Sequence, residues 1–302
     1  RAIPGVAMAE GRVQGSALID MAGQDLPVRA QAISLPSFGR PKLNDLYLTD
    51  GRLPMSGRME EVVVLKGFAT AHDLALGARL SATMHGARRE FTITGMAQAP
   101  EFLFTTAPGE FVPDDSRFAV LWMSQEALAA AYDVRGAFNE ALIALDRGGQ
   151  LEPVLKAVDA LLDPYGGQGA YGLKDQISNR FITEEIKGLT ITTRIVPPIF
   201  MGVAAFLLYI VIARLVQAER EQIGLIKAFG YSDFEVAAHY FKLVLAIALF
   251  GALLGCALGL WSGRAMAGVY QAVYKFPFLV FQVDPASFVT GVGASVLSAS
   301  AG

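Results

Sequence analysis

Arg220-Glu221-Gln222-Ile223-Gly224-Leu225-Ile226-Lys227-Ala228-Phe229-Gly230 is a charged, amphipathic stretch set between two long apolar runs. The run before it, Ile195 to Ala213, has nineteen residues without a charge, and the run after it, Leu243 to Ser262, has twenty. At about 1.5 Å per helical residue each reaches roughly 30 Å, the thickness of a bilayer's hydrocarbon core. The pattern predicts two membrane crossings with a short polar helix held beside the membrane. Gly230 suits the end of that helix, because glycine accepts the left-handed C′ conformation. Ser232, with Glu235 three residues later, predicts a capping box that opens the next helix. Inside the second run Gly251, Gly255, Gly259 and Gly263 recur every four residues, a smooth ridge suited to close helix packing.

Outward from this stretch the chain has two compositional halves. Residues 1 to about 180 hold most of the charges, prolines and turn glycines, enough for an independent domain. From Ile195 onward Leu, Ile, Val, Ala, Gly and Phe dominate, and they account for the positive mean hydropathy of +0.41. The expected division is 1–181 for a polar domain and 182–302 for the membrane half. A helix over 182–195 is expected to join them, with Ile182, Ile186 and Leu189 on one side. Pro197-Pro198 allows two readings, a helix that starts at the prolines or a continuous, kinked one. Membrane helices are expected near 195–214 and 240–263. A third apolar run, over 286–302, is too short to span and reads as a truncated helix. No leader is visible at Arg1, so a further membrane helix is expected upstream.

The first half reads as mixed strand and helix. Glu61 to Leu65 is a β-branched strand, and Phe68 to Leu76 a short helix closed by Gly77. Arg79–Met84 and Glu90–Thr94 form a hairpin around His85-Gly86. Phe118–Met123 is a strand, with Ser124 capping a helix to Ala131. Ala141–Leu145 is a strand, and Leu151–Leu162 an amphipathic helix. Residues 99 to 116, with three prolines and a glycine, read as a long exposed loop. This order predicts an α+β domain of layered sheet and helices.

Several chemistries find no support. The net charge of −3 and the lack of a basic, aromatic-interleaved stripe argue against nucleic acid. There is no P-loop, no Gly-x-Ser-x-Gly elbow and no His-Glu-x-x-His. His72, His85 and His239 are scattered, without the spacing of a metal site. Cys256 is the lone cysteine, so no disulfide can form within the chain. Asp114-Asp115 and Glu184-Glu185 read as solvated surface. No cofactor and no catalytic residue is expected.

Arg220-Glu221, Ile223-Gly224, Lys227-Ala228 and Gly230, with the capped, glycine-ridged helix after them, resemble the FtsX-like permease domain. This is the MacB and LolC type of ABC-transporter membrane subunit. Gly51-Arg52, Glu61-Val62-Val63-Val64, Phe68-Ala69, Leu76-Gly77 and Phe91 to Gly95 resemble the extracytoplasmic core domain of MacB-like proteins. Tyr270, Tyr274 and Phe276-Pro277-Phe278 resemble a subgroup of large permeases with duplicated halves. Lys242 stands where many members carry an acid. The resemblance implies an α+β extracytoplasmic domain joined to a transmembrane α-helical bundle, one truncated half of a type VII-like ABC permease. It implies a multi-pass protein of the bacterial cytoplasmic (inner) membrane. The expected partners are a cytoplasmic ABC ATPase subunit, a second permease half or a second copy, a periplasmic adaptor and membrane lipid. Arg220, Glu221, Ile223, Gly224, Lys227, Ala228 and Gly230 become the expected ATPase-coupling residues. Arg214, Arg220, Lys227 and Lys242 in that loop, against Arg264 and Lys275 in the next, agree with a cytoplasmic side. The implied function is export or extraction of an amphiphile by mechanical movement of the outer domain. The alternatives are a mechanotransmitting regulator that moves no substrate, and a membrane-bound hydrolase.

Overall fold

Val62, Val63 and Val64 are fully buried in consecutive positions, so their strand is covered on both faces. Around it the computed structural model describes residues 3–21, 23, 26–106 and 113–301. The described chain divides into two compact units, Arg1–Thr183 with Tyr270–Phe278, and Glu184–Val269 with Leu279–Gly302.

Among the described residues the first unit has nine strands: β1 (Val6–Arg12), β2 (Gln14–Asp20), β3 (Val28–Leu35), β4 (Tyr47–Gly51), β5 (Glu61–Leu65), β6 (Arg79–Met84), β7 (Ala87–Gln98), β8 (Phe118–Ser124) and β9 (Glu140–Leu145). Seven of them share one sheet in the order β4-β7-β5-β8-β3-β2-β6, and β6 pairs back onto β7. Pairing therefore returns to β7, and six strands close a ring, a closure that the expected α+β layering of sheet and helices did not specify. The closure depends on the length of β7. Its first half, Ala87–Thr92, pairs antiparallel with β6, while Thr92–Ala97 pairs parallel with β5. β1 and β9 form a separate antiparallel ribbon.

Trp122, Ile19, Ile33, Met84, Ile93, Leu121 and Met123 are fully buried about the ring, with Leu121 and Met123 on the face of β8 opposite to Trp122. α1 (Lys66–Ala71) adds Phe68, and α2 (Gln125–Tyr132) adds Leu128. The Ser124 hydroxyl accepts from the Ala127 N–H at 3.3 Å, the cap expected of it, and Asp133 at φ 56° ends α2. α1 stops at Ala71, short of the Leu76 that the sequence suggests, and Gly77 (φ 83°) sits in the turn beyond. α3 (Leu151–Leu162) buries Val154 and Val158.

The stretch 99–116 differs from an exposed loop. Pro100–Phe102 is a 3-10 turn, and Phe104 and Thr105 are buried. The Phe102 ring meets Trp122 edge-on at 5.9 Å. Its aromatic residues outweigh its prolines, because burying a ring removes more apolar surface than a turn exposes. The remainder, 107–112, lies outside the described residues.

Four helices follow: α4 (Ile177–Ala218), α5 (Arg220–Ala228), α6 (Asp233–Val273) and α7 (Pro285–Ala301). α4 runs unbroken for 42 residues through Pro197 and Pro198. α6 runs for 41 residues, ten past the expected end at Gly263, because no breaker occurs before Phe276-Pro277. α4 and α6 are each long and apolar enough to cross a membrane. α7 has 17 residues, fewer than the roughly 20 that span a bilayer.

Candidate functional site

The polar stretch folds as a short helix, a sharp turn and a long helix. Gly230 at φ 97° makes the turn, a conformation that glycine adopts without a Cβ penalty. The capping box forms as the sequence predicts. The Ser232 N–H donates to Glu235 at 2.8 Å, and the Glu235 N–H donates to the Ser232 hydroxyl at 3.3 Å. Bonds from the Ser232 backbone and hydroxyl hold the Glu235 carboxyl below its usual range. Lys227 pairs with Asp233 across the turn, and the Tyr240 hydroxyl donates to Glu219 at 2.6 Å. The hairpin is thus braced on both sides of Gly230.

The expected coupling residues divide by their contacts. Lys227 is engaged within the chain, and Gly230 shapes the turn. Arg220 and Glu221 are exposed and make no ion pair among the described residues. Ile223 is half-buried, while Gly224 and Ala228 are exposed and small. The structure adds residues that the sequence reading passed over. Leu225, Phe229 and Phe234 are exposed around the turn, Phe229 and Phe234 by 78% and 81%. An apolar cluster flanked by an unpaired Arg-Glu couple suits a protein surface better than water. The signal was available, since Phe229 and Phe234 flank Gly230 and Ser232.

Three glycines of the α6 ridge face open space. A Cβ at Gly251, Gly255 or Gly259 would meet nothing within 4 Å among the described residues. At Gly263 it would come within 3.2 Å of the Phe281 ring. Arg264 lies over the same ring at 5.8 Å, close enough for a cation–π contact.

A second arrangement lies where α4 begins. Ser178 is fully buried. Its hydroxyl lies 2.7 Å from the Glu101 carbonyl and 3.0 Å from that of Phe104, and it accepts the Phe104 N–H at 3.2 Å. Gln176 donates to the same Glu101 carbonyl at 2.9 Å and accepts from the Asn179 N–H at 2.7 Å. Phe104 stacks on Phe181 with centroids 4.2 Å apart. The Glu101 carboxylate takes a two-pronged bond from Arg12 at 2.7 and 2.6 Å, and Arg12 also reaches Glu140. Burial alone lowers the Arg12 pKa, but bonds to Glu101 and Glu140 prevail and raise it, so the cation is secure. The first turn of α4 is therefore pinned to the 99–105 stretch through Glu101 and Phe104, and through the Glu101 carboxylate to the β1–β9 ribbon. A cavity of about 20 Å³ near Arg12 and Trp122 has room for one water and offers no substrate site.

Residues 194–302 match the model of the FtsX-like permease C-terminal family. The membrane half of this chain resembles the FtsX-like permease C-terminal domain. The match contains the braced hairpin and the whole of α6. Among solved structures, the chain is similar to the extracellular domain of the noncanonic ABC-type transporter YknZ from Gram-positive bacteria, at 14% identity and a TM-score of 0.37, covering 56% of this chain and 81% of that one. It is similar to the periplasmic region of MacB from Actinobacillus actinomycetemcomitans at 12% identity and a TM-score of 0.33, covering 53% and 68%. A domain of a permease protein from Porphyromonas gingivalis is similar at 14% identity and a TM-score of 0.30, covering 55% and 67%. Comparison with curated protein sequences finds no match.

Proposed function

We propose that this chain is the permease subunit of an ABC transporter that moves an amphiphile by mechanical force. In this reading α5 and the turn at Gly230 dock into a groove of a separate, cytoplasmic ATPase. Leu225, Phe229 and Phe234 fill the groove, and Arg220 and Glu221 add charge-assisted bonds at its rim. The α+β unit stands outside the cytoplasm of a bacterial inner membrane and grips a substrate or an adaptor. A second permease half or a second copy covers the α6 ridge. The observation that carries the reading is the continuity of α4. It starts at Ile177, beside Ser178, which is buried in the α+β unit, and ends two residues before Arg220. One helix about 63 Å long thus joins the gripping unit to the docking hairpin.

The test replaces Arg220 and Glu221 with residues of opposite charge and Phe229 with Ala, in the assembled complex. The expected outcome is loss of ATP-driven transport, with normal membrane insertion and an intact Lys227–Asp233 brace. ATP turnover and export equal to the parent's would remove the hairpin from the ATPase interface.

A further inference from the structure

Tyr270–Phe278 follows the membrane span of α6 but is packed within the α+β unit. Three contacts hold it there. The Lys275 ammonium meets the Asp115 carboxylate at 2.6 Å, with both side chains about one-fifth exposed. The Tyr274 ring lies 5.9 Å from Phe104, the residue that stacks on Phe181 of α4. The Phe278 ring meets Tyr47 of β4 edge-on at 6.0 Å. Two details show that the place is built for the ion pair. The other Asp115 oxygen is buried without a hydrogen bond, so Lys275 is what neutralises the carboxylate. Gly67 leaves space for it, since a Cβ there would lie 2.8 Å from the Asp115 carboxyl atoms. Lys275 itself has φ 51°, left-handed for a residue with a side chain, and its ammonium also bonds the Ala272 carbonyl at 3.1 Å.

Building on the permease reading, we infer that Asp115 and Lys275 form a latch, a second attachment through which α6, beside α4, moves the outer domain. Phe104 touches both attachments, so it is the pivot between them. Asp115, Lys275 and Gly67 are positioning residues, and none touches a substrate.

Hydrogen–deuterium exchange on the detergent-solubilised full chain tests the latch without any ATPase. Lys275→Met and Asp115→Asn are expected to speed amide exchange in 113–117 and 270–278 roughly tenfold, with β5 and β8 unchanged. Lys275→Arg keeps the charge and the protection. Gly67→Ala removes no charge and suits a helix, yet displaces the carboxylate and gives the same loss. In the assembled complex Lys275→Met lowers the substrate moved per ATP. Parent-like exchange in Lys275→Met and Gly67→Ala overturns the latch and leaves the permease reading standing. Loss of that reading would show instead in the α5 variants.

Discussion

Glu61 opens a fully buried strand and still carries a charge. Arg52 holds its carboxylate at 2.7 Å through both oxygens, and the Met55 N–H adds a third bond at 2.9 Å. The Arg52 bonds are the main cause that brings its pKa from the usual 4.5 to about 2. A lowered pKa means that the unfolded chain binds a proton at a higher pH than the folded one. The stability from this pair is therefore complete above about pH 4.5 and disappears as pH falls through about 2. Melting of the full chain is expected to decline over that window, and Glu61→Gln to flatten this part of the decline. An equally steep decline in the variant would show that other carboxylates set the acid limit. Gly51 (φ 76°), beside Arg52, has the Thr94 carbonyl 2.3 Å from where a Cβ would sit. Gly51-Arg52 and Glu61-Val62-Val63-Val64 were visible in the sequence as a family resemblance. Their work, a staple between β4 and β5, was not, because pairing across nine residues depends on a fold that local pattern does not encode.

At the scale of elements, legibility followed periodicity. β5, β6, β8 and β9 are apolar or β-branched runs and α2 and α3 have helical patterns, and their sequence assignments agree with the structure within a few residues. The strands β1 to β4 were passed over, because their patterns are weak. β1 has mostly exposed residues, and β4 is five residues at the end of the sheet order. The pairing of β7 with β4, β5 and β6 was equally invisible, since no local rule gives one strand different neighbours along its length. The glycine ridge was visible, and among the described residues nothing lies within 4 Å of a Cβ placed at Gly251, Gly255 or Gly259. Gly255→Leu is therefore expected to leave the melting of the separate chain unchanged. In the assembled transporter it should cost about 1–3 kcal/mol through overpacking, read as weaker association of the permease halves. Unaltered assembly would assign the ridge to lipid.

For the whole molecule, Pro197-Pro198 left open whether a helix starts at the prolines or runs through them, and a lever along α4 needs the second. Two missing N–H groups leave the carbonyls of Thr193 and Arg194 without their helical partners, which ordinarily kinks or breaks a helix. Nearby, the Thr190 and Thr193 hydroxyls bond back to the Ile186 and Thr190 carbonyls, and the helix continues. Within a bilayer no other regular conformation satisfies the backbone, so the span resists breaking there. A lever must be stiff where it leaves the domain, just beyond Phe181. A flexible Gly-Ser segment inserted after Thr183 is expected to lower the substrate moved per ATP while hydrolysis continues and both units stay folded. With the Asp115–Lys275 latch as the second attachment, part of the coupling survives the insertion alone. Combining the insertion with Lys275→Met should remove that remainder. Measured side by side, transport per ATP should fall stepwise from parent to insertion to combination. Parent-level transport in the combination would mean that neither α4 nor the latch carries force, and the membrane helices would have to conduct the substrate themselves.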